Sequence, residues 1–293
     1  MLRLHVHHRT TYSYSEPVAF GRHRLVLRPR EGHDLRIVEM ALEIEPEHEL
    51  TWVRDVYGNS LALVDFTAPS ARLEIVSDVA IERAEPFPER RFHEPWRVPW
   101  PVQYEVEEQV VVDAYRRLSF PDDASALEQW LGTDLVRRED DAEGTLLDLC
   151  NRVHGAIAYR RRAERGVQTP RDTLREASGS CRDMATLMMD AARVLGVASR
   201  FASGYAHSSA TLAGRASTHA WTECYLPGLG WRAFDPTTGK AVSGQHIAAG
   251  VSQHPRGVMP VSGSFVGARS WFRSLEVDVQ TREIDGSRDS NSS

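Results

Sequence analysis

Among the residues able to act as nucleophile, base or metal ligand, one group is arranged for thiol chemistry. Cys181 follows Ser178-Gly179-Ser180, and Cys181, Met184, Met188, Ala191 and Leu195 then recur at helical spacing up to Gly196. Ser180 is a residue type that caps a helix start and Gly196 one that ends a helix, so the spacing predicts a helix with Cys181 in its first turn. Unpaired amides and the positive dipole end at that position favour a thiolate over a thiol, whose ordinary pKa is about 8.5. The pattern makes Cys181 a nucleophile whose own backbone N–H can serve as an oxyanion donor.

A thiolate nucleophile needs a proton acceptor and an anion to fix that acceptor's tautomer. Residues 217–225 alternate as a strand, Pro227-Gly228-Leu229-Gly230 makes a turn, and residues 231–235 return before Pro236 stops them. Folding this hairpin brings Asp235 directly or diagonally beside His219, which predicts a triad of Cys181, His219 and Asp235. Parity along the first strand puts His219, Trp221, Glu223 and Tyr225 on one face and Cys224 on the other, so Cys224 is a poor partner for His219. Cys150 falls on the apolar stripe of Leu146, Leu149 and Val153 and is expected to be a buried, inert thiol.

Other arrangements are weaker. His5-x-His7 puts two imidazoles on one strand face without an evident third ligand, so no metal site is expected there. Met188-Met189 reads as helix core. Trp221 and Trp231 are candidates to wall a substrate groove. A metal hydrolase built on His219 and Asp235 would leave Cys181 without a role, and no metal or organic cofactor is expected.

The elements that must position these residues follow from the rest of the chain. With 293 residues, 41% apolar and 26% charged, there is material for roughly two domains. The balance of 35 basic against 41 acidic residues, a formal charge of -6, offers no phosphate-tracking stripe, so nucleic acid is not expected as a partner. No apolar run approaches the about 18 residues of a spanning helix, and the N-terminus opens on strand alternation rather than a signal peptide, so no membrane partner is expected and a cytoplasmic location is. Three cysteines at wide spacing fit neither a disulfide framework nor a paired zinc site.

Residues 1–84 alternate as short strands and predict an antiparallel, sandwich-like β domain, with a hairpin turn at Tyr57-Gly58-Asn59-Ser60. Residues 85–105, rich in Pro and Trp, read as a linker. From 106 the periodicity becomes helical, around 110–115, 126–131 and 146–153, and an α+β core is expected over 106–282. A polar tail over 283–293 reads as disordered.

Gly179-Ser180-Cys181-Arg182-Asp183-Met184-Ala185, Arg200-Phe201-Ala202-Ser203-Gly204-Tyr205, His219-Ala220-Trp221 and Gly230-Trp231-Arg232-Ala233-Phe234-Asp235-Pro236-Thr237 together resemble the bacterial transglutaminase-like proteins, often described as cysteine proteases. The resemblance covers the whole chain. It implies an N-terminal β domain joined to a papain-like core, with Cys181, His219 and Asp235 on the catalytic positions, and it brings no calcium site. Two departures stand out. Met184 replaces a bulkier apolar or aromatic residue, and residues 252–263 keep the family's Val-x-Pro-x-x-Gly ending but lose its acidic residues, the departures falling at Gln253, His254 and Gly257. If that segment borders the site, substrate preference is expected to differ from that of relatives. The implied chemistry is attack on an amide of a peptide, protein or glutamine-type substrate to give a thioester, then transfer of the acyl group to water or to an amine. Tyr159 and Gln168 are candidates for the second oxyanion donor. The competing expectation, an inactive binding module on the same fold, predicts a broken triad.

Overall fold

The alternation at the N-terminus becomes six antiparallel strands: β1 (Leu2–Phe20), β2 (His23–Leu25), β3 (Leu35–Glu45), β4 (His48–Arg54), β5 (Ser60–Phe66) and β6 (Ser70–Arg83). The computed structural model describes residues 2–84, 97–132, 135–162, 164, 166–206, 215–242 and 246–284, with 215–217 as backbone only. After the strands come α1 (Gln109–Arg116), α2 (Ala124–Leu131), α3 (Ala142–Ala156), β7 (Ala158–Tyr159), α4 (Pro170–Glu176), β8 (Ser178–Gly179) and α5 (Cys181–Val194). The remainder is β9 (Ser199–Ala206), β10 (Arg215–Leu226), β11 (Gly230–Asp235), β12 (Lys240–Ala241), β13 (His246–Ser252), β14 (Val261–Ser262), β15 (Phe265–Val266) and β16 (Phe272–Glu283).

Two sheets face each other at the N-terminal end. One runs through β16, β1, β6 and β3, the other through β14, β2, β5 and β4. Val18, Leu25, Ile44, Val64, Leu73 and Ile75 fill the space between them, because alternate residues of each strand point inward. The architecture is α+β, as expected.

The sheets do not respect a boundary near residue 84. β16 runs along β1 from Leu4 opposite Glu283 to Tyr14 opposite Phe272, β15 pairs with β1, and β14 pairs with β2. Residues 261–282 were expected within the 106–282 core, yet they complete the N-terminal sheets, because a strand's alternation does not reveal which distant edge it will cover. Glu283 is correspondingly the last residue of a strand rather than the first of a tail. Residues 285–293 and 85–96 lie outside the described residues. β10 then joins the two halves: Arg215 and Ala216 pair with β16, while Ser217 to Cys224 pair with β9.

In the second half, α2, α3 and α5 pack Leu127, Leu131, Leu146, Leu149, Val153, Met184 and Met188 against Cys224, Leu226 and Phe234 of the sheet. Met184, Met188 and Ala191 form the expected seam, but Cys181 lies on a second stripe with Ala185 and Met189, against Phe201 and Ala220. A helix apolar on two sides is a central helix, and α5 is buried from Asp183 to Arg193. Gly196 ends it with a φ of 86°, a left-handed conformation that favours glycine. β13 lies against β9, and the approach is so close at Gly204 that an added Cβ would overlap the Ile247 carbonyl. Among the described residues no helix is long and apolar enough to cross a membrane.

Candidate active site

The start of α5 is fixed by Asp183, a completely buried carboxylate. It accepts hydrogen bonds from the Ser180 amide (2.8 Å) and hydroxyl (2.8 Å), from the Gln168 amide (2.7 Å) and from Arg162 Nε (2.8 Å). Ser180 and Asp183 form a capping box, which ties down the helix end that presents Cys181. The loop carrying Arg162 and Gln168 is bound to the same point. Just before the helix, β7 pairs parallel with β8, placing Tyr159 opposite Gly179.

β10 and β11 pair antiparallel with Thr222 opposite Phe234, so Asp235 sits diagonally from His219, one of the two placements the hairpin allowed. His219 Nε2 lies 2.9 Å from Asp235 Oδ2. Nε2 is taken by the carboxylate, and Cys181 lies near enough to the His219 side chain to raise its pKa. Pro236 ends β11, and the chain turns so that the Thr237 amide (2.9 Å) and hydroxyl (2.6 Å) both donate to Asp235 Oδ1. Cys181, His219 and Asp235 are therefore brought together as the hairpin and helix-start arguments predict.

Burial alone would lower the His219 pKa, but hydrogen bonds and charge from Asp235 and Cys181 outweigh it and raise the pKa to about 10. Burial likewise works against ionisation of Asp235, yet His219, His246 and Thr237 hold it far below the usual carboxylate range. A raised folded-state pKa stabilises the protein fully below the unfolded value of about 6.5, and this contribution disappears as pH rises through about 10. Asp235→Asn removes the main cause of the upward shift. The alkaline step in Cys181 alkylation is expected to fall from about 10 toward the ordinary histidine value, as read from rate against pH.

The other sequence-derived candidates fare differently. Tyr159 is half exposed, and burial followed by the charge of Cys181 pushes its pKa up, so it lies within electrostatic reach of the thiol. Gln168 is held against Gly179, with its side-chain oxygen accepting from the Thr173 hydroxyl at 3.4 Å. Trp221 does not wall a groove. It is buried, its indole N–H donates to Glu223 (3.3 Å), and its ring backs His219. Trp231 does line a cavity of about 310 Å³, with Tyr115, Tyr225, Glu107 and Glu108. That cavity lies beside Tyr225, six residues along β10 from His219, or about 20 Å.

Cys150 and Cys224 are fully buried and their thiol pKa values are pushed up by burial, whereas Cys181 is partly exposed. His5 and His7 share Asp78 of β6, at 3.2 and 2.9 Å. The segment with Gln253, His254 and Gly257 runs on from the middle of α5 toward the nucleophile's own apolar cluster, which includes Val258 and against which Cys181 packs. The Gln253 carbonyl accepts from Arg193 (2.7 Å) and His254 packs on Phe120, beside the part of α5 around Asp190 and Arg193. Asp190 is nine residues, about 14 Å, from Cys181 along the helix axis.

Two residues that sequence reasoning missed contribute to the site. Asp183 had a readable signal, the Ser-x-x-Asp spacing of a capping box. His246 had none. It approaches from β13, beyond β9, and its Nε2 lies 3.2 Å from the Asp235 oxygen that also meets His219. His219 Nε2, Asp235 Oδ2 and His246 Nε2 lie within 4.8 Å of one another and are the described atoms grouped closely enough to hold a metal ion; the two Nε2–Oδ2 distances are equally those of shared hydrogen bonds.

Residues 4–82 match the bacterial transglutaminase-like N-terminal region, and residues 129–236 match the transglutaminase-like superfamily. An uncharacterized Mycobacterium tuberculosis protein is 26% identical over 296 residues, covering 97% of this chain and 94% of its own. An uncharacterized protein of Mycobacterium leprae is 22% identical over 287 residues, covering 95% and 99%. The crystal structure of a candidate cysteine protease from Cytophaga hutchinsonii superimposes with a TM-score of 0.73 at 15% identity, covering 98% of this chain and 92% of that one, a likeness of fold.

Proposed function

Since the chain belongs to the bacterial transglutaminase-like proteins, we propose that it is a thiol enzyme acting on peptide or glutamine-type amides through Cys181, His219 and Asp235. The observation that carries this reading is a single imidazole bonded to a buried carboxylate and near enough to a partly exposed thiol at a helix start for that thiol to raise its pKa. The Cys181 thiolate attacks the carbonyl carbon, and the oxyanion is held by the Cys181 amide, with Tyr159 or Gln168 as the candidate second donor. The His219 imidazolium gives its proton to the leaving amine, the C–N bond breaks and a thioester remains. Water or a primary amine then attacks the thioester, His219 accepts its proton, and the acid or new amide leaves as the thiolate is restored. The intact triad disfavours the reading of an inactive binding module.

Alkylation by iodoacetamide at mildly acidic pH, followed by peptide mapping, tests the nucleophile. Cys181 is expected to react alone, since Cys150 and Cys224 are enclosed and their ionisation is suppressed. Equal sluggishness of all three thiols would count against the enzyme reading. Incubating a glutamine-containing peptide with and without a primary amine then separates the branches: an amine adduct in the mass spectrum assigns the transferase, free acid alone the hydrolase.

A further inference from the structure

β13 is held from the N-terminal side along its whole length. Arg83, the last residue of β6, donates to the His246 carbonyl at 2.7 Å, and the Arg30 amide donates to the Ala248 carbonyl at 2.8 Å. The Asn59 side chain is completely buried and pairs with Val251 in both directions, accepting from its amide (2.9 Å) and donating to its carbonyl (2.8 Å). Asn59 was expected as a turn residue, and it acts as a one-residue extension of the sheet. Between these bonds, Ile247 and Ala249 pack with Leu4, Val6, Leu35, Val79 and Ile81 of the N-terminal strands.

The first residue of this strand is His246. Its ring lies edge-on against Trp221 (5.1 Å between centroids) and near His219 (5.5 Å), with Nε2 on Asp235 Oδ2. Among the described residues Nδ1 has no hydrogen-bond partner, so Asp235 is the polar group toward which the ring is directed. We infer that His246 is a positioning residue through which the N-terminal sheets orient the carboxylate of Asp235 toward His219. This rests on the thiol-enzyme reading and gives the N-terminal region a part in it. Thr237 fixes one carboxylate oxygen and His246 the other, so the plane of the group is set from two sides. Without His246 the Oδ2 that His219 needs is free to turn, and the His219–Asp235 bond loses alignment.

The test follows Cys181 alkylation by iodoacetamide against pH in the full chain, with thermal unfolding alongside, for wild type, His246→Leu, His246→Gln, Arg83→Met and the Arg83→Met/His246→Leu pair. His246→Leu is expected to slow the reaction at mildly acidic pH by about tenfold, the scale of one hydrogen bond to a charged group, and to move the alkaline step to lower pH. His246→Gln keeps an N–H donor and restores both to within about threefold. Arg83→Met shifts the profile the same way by less, and the double variant is no worse than His246→Leu. The inference falls if His246→Leu keeps the wild-type profile or moves the step upward while Asp235→Asn lowers it, or if Leu and Gln differ from wild type only in melting temperature. If His219→Ala and Asp235→Asn also leave Cys181 reacting as in wild type, the triad reading itself falls.

Discussion

Replacing Cys181 with alanine is expected to abolish thioester formation and lower turnover by on the order of 10⁶, since a triad whose nucleophile is lost retains only the catalysis of its oxyanion site and binding groups. The fold should survive, because Cys181 is small and partly exposed while the helix start is held by Asp183. Equal circular dichroism and melting temperature, together with loss of product and of covalent trapping, check the result. Cys150→Ala and Cys224→Ala form the contrast: both thiols are fully buried, so these changes are expected to cost packing and leave turnover near wild type. Persistent activity in Cys181→Ala would refute the thiol mechanism.

The second large effect is on stability. Asp183→Ala deprives Arg162 of its buried partner, leaving it the exposed Glu164, removes the acceptor of the Ser180 amide and hydroxyl, and unties the loop at Gln168. Breaking a buried charged pair by removing one partner costs about 3–5 kcal/mol, a large part of the about 5–15 kcal/mol that ordinarily holds a domain folded. Denaturant midpoints should show the loss, and Asp183→Asn, which still offers an acceptor oxygen, should lose less. Because Asp183 fixes the turn that presents Cys181, the same variant is expected to alkylate more slowly under conditions where it remains folded.

The grouping of Cys181, His219 and Asp235 was legible because its signals are local. A small residue before Cys181, a glycine closing the helix, strand parity at His219 and a proline after Asp235 are each readable within a few residues. The hairpin needed only its turn to bring His219 and Asp235 to diagonal positions. What escaped depends on elements meeting from far apart in sequence. His246 reaches Asp235 only because β13 lies against β9, and β13 is there because Arg30, Asn59 and Arg83 hold it. Trp221 illustrates the same limit: parity placed it correctly on the face of His219, but the ring of His246 that covers it comes from another strand. The far end of the 106–282 core failed because composition marks where a linker begins, not where the sheet finds its remaining strands.

The pairing of β1 with β16 also bears on how the molecule is made. One edge of β1 can be covered by β6 within the first 83 residues, but the other awaits the final strand, up to Glu283 opposite Leu4. Contacts so distant in sequence form late, and an unpaired strand edge invites pairing with other chains. During synthesis the N-terminal sheet thus emerges with an open flank, and the same late closure brings in the strand that β10 joins at Arg215 and Ala216. A ribosome-bound chain that has already exposed Cys181, His219 and Asp235 still lacks this seal, which ties the assembly of the sheet behind the triad to the arrival of the last strand.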